Sequence, residues 1–148
     1  MPVQIVVAGA LTSGATLLVA QRDRPAELAG RWELPGGKVT AGESEREALV
    51  RELDEELGVT VQVGARLGDD VELPGSVVLR AYVVTQVGDG TAQPHDHRCL
   101  RWVTAADLDA LDWVPADRAW LPHLRALLAD PTAFAAGPID PARAADEH

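Results

Sequence analysis

The segment from Gly37 to Val59, GKVTAGESEREALVRELDEELGV, combines one strong helix signal with an unusual placement of charge. Ser44 precedes Glu47 at the spacing of a capping box, and Gly58 falls where a helix commonly stops. Leu49, Leu53 and Leu57 recur at every fourth position with Ala48 alongside, which makes one buried stripe. The spacing predicts a helix over roughly Glu43 to Leu57. Glu52, Glu55 and Glu56 stand at i, i+3 and i+4, so three carboxylates share one face, with Asp54 nearby. Like charges at that spacing cost about a few tenths of a kcal/mol each. The last turn is also the wrong end for anions, because the macrodipole is negative there. Taken alone, the cluster reads equally well as a solvated acidic face or as a seat for a hard divalent cation. Magnesium takes oxygen ligands and is held by a few carboxylates together with water and substrate phosphates. Gly36-Gly37 lets the backbone pass close to such a site, so that a glycine carbonyl can join the ligands, and Arg51 can hold one carboxylate in its rotamer.

Outward from this helix, Gln4 to Leu11 and Ala15 to Ala20 are short, apolar and partly β-branched, separated by Thr12-Ser13-Gly14. They read as paired strands joined by a tight turn. A loop with Pro25 and Gly30 follows, then a brief extended segment, Arg31 to Leu34, ended by Pro35-Gly36-Gly37. Beyond the helix, Val59 to Leu67, Ser76 to Val87 and Leu100 to Val103 read as strands. A short helix is expected over Ala105 to Ala110 and a longer one from about Ala116 to Leu128. Strands, helix, strands, helix is the order of an α/β fold with a mixed sheet between helices. One domain over residues 1–129 is expected, followed by a Pro/Ala-rich tail, 130–148, of loose structure.

The chain has 148 residues, a formal net charge of -10 and a single lysine, Lys38. That balance argues against a nucleic-acid polymer as partner, which calls for a basic face. An acidic protein acting on an acidic small molecule needs divalent cations between the two. Cys99 is the one cysteine, which excludes an intrachain disulfide and an all-cysteine metal site. The apolar run over residues 3–11 lacks a preceding basic segment and is interrupted at Ser13-Gly14, unlike a signal peptide or membrane span. A cytoplasmic location without membrane association is the expectation. The pattern leaves monomer and homodimer open.

Gly37, five residues, Glu43, seven residues, Arg51-Glu52-Leu53, one residue, Glu55-Glu56, one residue, Gly58-Val59 satisfies every defining position of the Nudix box. The chain thus resembles the Nudix hydrolase superfamily, and the resemblance implies an α/β/α sandwich in which the box forms a loop-helix-loop unit. It also implies magnesium as cofactor, with manganese as a substitute. Carried over by position, Glu52, Glu55 and Glu56 become metal ligands and catalytic residues, the Gly36 carbonyl a further ligand, and Glu43 and Arg51 supporting members of the catalytic set.

The likeness extends to Gln21-Arg22, to Glu27 through Lys38 and to Leu100 through Val103, where it resembles the MutT branch acting on nucleoside triphosphates, members preferring cytidine nucleotides above all. Arg22 and Lys38 are then substrate-binding, Arg22 on the phosphates, where a guanidinium fork suits the role. Asp96, six positions before Trp102, becomes an outer metal ligand or the base that activates water. His95 and His97 read as loop residues. Asp117, at the opening of the last helix, offers acceptors suited to the exocyclic amine of cytosine, without excluding 8-oxo-dGTP. Its plainer reading is an acid stabilised by a helix N-terminus. Tyr82 and Trp113 are candidates to stack on a base or to pack in the core. The implied reaction is hydrolysis of a nucleoside triphosphate to a monophosphate and pyrophosphate, in the service of nucleotide-pool sanitation. The alternatives are an ADP-ribose or dinucleotide pyrophosphatase and a nucleotide sensor that does not cleave.

Overall fold

The computed structural model describes residues 2–130, so the expected loose tail lies almost entirely outside the described residues. Strands β1 (Gln4–Ser13), β2 (Thr16–Gln21), β3 (Trp32–Glu33) and β4 (Gly36–Lys38) precede helix α1 (Glu45–Leu57). Strands β5 (Thr60–Leu73), β6 (Val77–Val87) and β7 (Cys99–Val103) follow, then two 3-10 helices and α2 (Leu121–Ala129). The expected mixed sheet is present: β1 runs parallel to β6 from Gln4↔Val77 to Leu11↔Val84, while β5 pairs antiparallel with β6.

The reading of β1 and β2 as a simple hairpin needs correction. They share only the pairs Thr12↔Leu17 and Ser13↔Thr16, and then diverge. β1 continues between β6 and β4, whereas β2 continues between β7 and β3. Each strand finds more backbone partners that way than a two-stranded hairpin offers. The cavity described below is lined from the strands that take up these partnerships, by Glu33 of β3 and Gly36, Gly37 and Lys38 of β4.

Side-chain alternation along these strands builds two cores. Val7, Leu11, Leu18 and Val84 face α1 and pack with Leu49, Leu53 and Leu57. Ala8, Ala10, Leu17, Val19 and Val83 face the opposite way, toward Trp113, Trp120 and Leu124. Helices therefore cover both faces of the sheet. The Ser44–Glu47 capping box forms as the spacing predicts. The last helix is shorter than expected: Pro115–Trp120 is a 3-10 turn and α2 starts at Leu121. Pro122 lacks the N–H a continuous helix would need and suits the first turn of a new one. Among the described residues no helix is long and apolar enough to cross a membrane.

Candidate active site

Two features of β4 bring the backbone against α1. Gly36 crosses β1 so closely that a Cβ there would lie 1.9 Å from the Val7 carbonyl oxygen. At Gly37 a Cβ would lie 1.5 Å from Glu52 Oε2. The two glycines thus leave room for a carboxylate seated directly on the strand, as the sequence suggests. For Gly36 the structure adds a group that the pattern does not reveal. Its amide N–H is near enough to the Glu56 carboxyl to favour the charged form, whereas the expectation concerned its carbonyl.

The carboxylates of α1 do not form one comb. Successive helical residues are turned by about 100°, so positions 55 and 56 diverge to either side of 52. Glu52 and Glu56 point into a cavity of about 370 Å³, together with Arg22, Glu33, Lys38, Asp96 and His97. Glu55 lies outside that lining, with its side chain 58% exposed, and meets Arg51 Nη1 at 3.3 Å. Arg51 is the hub of this surface. Its Nε and Nη2 grip Glu43 at 2.5 and 2.9 Å, Nη1 donates to Glu52 at 2.9 Å, and Nη2 also reaches the Lys38 carbonyl at 3.1 Å. The guanidinium holds the Glu43 carboxyl down at about 2. Glu43 thus anchors the guanidinium that in turn holds Glu52.

Burial opposes charge on the two inward carboxylates. The Glu52 carboxyl is raised above its ordinary range chiefly by desolvation. Glu56 is pushed up to about 8, again by burial first and then by the nearby Glu52 and Glu33. Among the described residues its Oε1 has no hydrogen-bond partner, an expensive state for a buried oxygen unless a cation or proton meets it. Among the described residues no three His, Cys, Asp or Glu side chains converge into a complete cage. An all-oxygen pair with an orphaned acceptor fits magnesium, which keeps several waters and draws its other ligands from phosphates.

The end of α1 is closed by the segment that carries Asp96. Gly58, in the left-handed conformation, donates its N–H to the Asp54 carbonyl at 2.9 Å. Gln93 N–H donates to the Leu57 carbonyl at 2.9 Å and His95 N–H to the Glu56 carbonyl at 3.0 Å. The His95 ring lies against Gly58, with Nδ1 3.1 Å from the Glu55 carbonyl oxygen. These contacts satisfy carbonyls that a helix C-terminus leaves unpaired. They also moor the 93–97 segment beside Glu56, so His95 is more than a loop residue.

Arg22 lines the cavity where expected, and its Nη1 donates to Glu33 Oε1 at 2.9 Å. Asp96 lines it too, with Arg24 Nη2 at 3.1 Å from its Oδ1. Glu33 and His97 are residues that the sequence pattern passes over. Glu33 Oε2 lies 2.9 Å from His97 Nε2, and the imidazole is only 6% exposed. The available signal was a charged residue between the apolar Trp32 and Leu34, just before Pro35-Gly36-Gly37.

One expected substrate contact, Tyr82, needs correction, and a second residue, Asp117, stands behind the cavity lining. Tyr82 faces α1 by strand alternation, buried, with its hydroxyl donating to Glu45 Oε1 at 2.6 Å, and it lies outside the cavity. Asp117 is 5% exposed and also outside the lining, with Oδ2 accepting the Leu34 N–H at 2.8 Å. Burial pushes its carboxyl up to about 7 against the opposing effect of the Leu34 N–H, and through that bond it backs the strand end next to Glu33, which lines the cavity. Trp113 is a core residue, fully buried, and its indole N–H donates to the Leu108 carbonyl.

A sandwich in which a box helix turns two glutamates inward against a glycine pair defines a class of hydrolase, and the Nudix domain pattern matches residues 2–124. The chain belongs to the Nudix family and is a hydrolase of that family. It is 63% identical over 124 residues to "Putative 8-oxo-dGTP diphosphatase 2" of Mycobacterium tuberculosis, covering 82% of this chain and 87% of that protein. It is 39% identical over 126 residues to the CTP pyrophosphohydrolase of Escherichia coli, covering 84% of this chain and 90% of that one. Among solved structures it resembles the solution structure of the E. coli ORF135 protein, with a TM-score of 0.71 and 35% identity, over 92% of this chain and 96% of that one.

Proposed function

We propose that this protein hydrolyses nucleoside triphosphates to the monophosphate and pyrophosphate with magnesium as cofactor, and that its substrates are cytidine triphosphates and 8-oxo-dGTP. The observation that carries this reading is the pairing of two inward carboxylates, half-buried Glu52 and buried Glu56 with its orphaned oxygen, with Arg22 and Lys38 around one cavity. The names of the M. tuberculosis and E. coli relatives support the substrate class. Glu52 and Glu56 would hold the ion, with Asp96 as outer ligand or proton acceptor. When bound, magnesium supplies charge neutralisation at the phosphates and lowers the pKa of a bound water. Arg22 and Lys38 neutralise the polyphosphate and orient it, and preorganised charge of this kind is the larger catalytic contribution. A carboxylate at the cavity takes the proton from the attacking water as oxygen bonds to the β-phosphorus and the bond to the nucleoside monophosphate breaks. Glu55, outside the lining, would act at the rim.

Asp117 is the proposed reader of the base. Its Oδ2 holds the Leu34 amide and its Oδ1 remains as an acceptor for a cytosine amine, so recognition depends on a shift of the wall that buries it. A rate panel over dCTP, CTP, 8-oxo-dGTP, dGTP and ADP-ribose with magnesium tests the assignment. Pyrophosphate release from dCTP or 8-oxo-dGTP well above that from dGTP is expected. Faster turnover of ADP-ribose, or tight nucleotide binding without pyrophosphate, would displace it.

A further inference from the structure

Glu33 stands between two groups on opposite sides of the cavity. One of its oxygens accepts Arg22 Nη1 and the other meets His97 Nε2, each at 2.9 Å. The far nitrogen of the same ring, Nδ1, lies 3.8 Å from Glu56 Oε1. Both of these facing atoms are buried and, among the described residues, without a hydrogen-bond partner. An ionised carboxylate only accepts, so Glu33 selects the ring tautomer with the proton on Nε2. Nδ1 then faces Glu56 as an acceptor, and no protein donor occupies the Glu56 Oε1 lone pairs. The opposite tautomer would aim an N–H at that oxygen and occupy it. The segment carrying His97 is moored to the end of α1 through Gln93 and His95, so the ring does not move away to avoid the choice.

We propose that Glu33 is a positioning residue with two effects: it orients Arg22 for the substrate phosphates, and it fixes His97 in the tautomer that leaves Glu56 free for a cation. This deepens the hydrolase reading and rests on it for the roles of Arg22 and Glu56. A glutamine at position 33 is nearly isosteric but cannot serve both partners as before. With its carbonyl on Arg22, its amide N–H₂ must point at His97 Nε2, and that forces the proton onto Nδ1.

The test uses the full chain carrying ¹⁵N-labelled histidine, metal-free, at a pH where the ring is neutral. Long-range ¹H–¹⁵N correlation spectra read the His97 tautomer directly. The wild-type protein is expected to show the Nε2–H form and Glu33→Gln the Nδ1–H form. Manganese titration followed by electron paramagnetic resonance should show roughly 10- to 100-fold weaker binding in Glu33→Gln. With dCTP and 8-oxo-dGTP, KM should rise and kcat fall together in that variant, whereas Arg22→Ala should mainly raise KM. An Nδ1–H tautomer in the wild type overturns the proposal, and this arm stands even if the variant fails to fold. An unchanged tautomer and manganese affinity in a folded Glu33→Gln protein overturns it as well. Absence of any triphosphate hydrolysis by the wild type would instead reject the hydrolase reading, with the spectra still deciding the tautomer.

Discussion

Replacing Glu56 by glutamine separates the energetic cost of the site from its chemistry. The carboxyl is pushed from 4.5 up to about 8 by burial and by Glu52 and Glu33. A carboxyl whose pKa is higher folded than unfolded destabilises the fold as pH rises. The penalty begins as pH passes the unfolded value near 4.5 and is complete above about 8. At about 1.4 kcal/mol per pH unit the shift sets a ceiling on the order of 5 kcal/mol. Relaxation and water entering an open cavity reduce this to about 2 kcal/mol. For a chain of this size that is about 4–8 °C in Tm. Glu56→Gln keeps an acceptor for the Gly36 amide and removes the charge. Melts followed by tryptophan fluorescence in chelator should therefore show the variant more stable than wild type by about 4–8 °C at pH 8.5. The two should nearly coincide at pH 5. Adding magnesium at pH 8.5 should raise the wild-type Tm through preferential binding to the folded state and leave the variant almost unmoved. The same variant should lose about two orders of magnitude or more in kcat. A variant that is less stable than wild type at pH 8.5, or a Tm difference independent of pH, would mean that Glu56 is not a strained carboxylate awaiting a cation.

Gly37→Ala places a Cβ on the seat of Glu52 and should weaken manganese binding and activity at least about tenfold while the protein stays folded, as checked by titration and circular dichroism. Asp117→Asn should move the ratio of dCTP to 8-oxo-dGTP rates by about tenfold toward the oxidised purine, in line with one exchanged base contact. An unchanged ratio would leave Asp117 as the anchor of the Leu34 amide alone. Leu53→Ala, fully buried beneath Gly9, should cost about 3 kcal/mol and lower Tm by roughly 6–12 °C without changing KM.

The helix, its caps and its buried leucine stripe were legible in the chain because they rest on contacts within four residues of each other. Ser44 and Glu47, and Leu49, Leu53 and Leu57, carry their partners with them. The Nudix frame was legible for a related reason: its glutamate, glycine and arginine positions lie on one continuous segment. Strand faces followed from period-two alternation, although the same alternation sends Tyr82 away from the cavity, where it had been expected to contact substrate.

Tertiary structure alone decided which glutamates share the cavity. Glu52 and Glu56 turn inward and Glu55 outward only with respect to β4, which is placed by its pairing with β1. It also decided that Glu33 and His97, separated by 64 positions, would meet, since that contact depends on where the β2–β3 pair and the 93–97 segment converge. Asp117 was readable as an acid near a helix start, yet its burial behind Leu34 depends on how the 3-10 turn packs against the sheet. Local periodicity records what a residue can do for its neighbours along the chain. Desolvation and long-range hydrogen bonds, which set the charge state of this site, arise only when distant segments exclude water together.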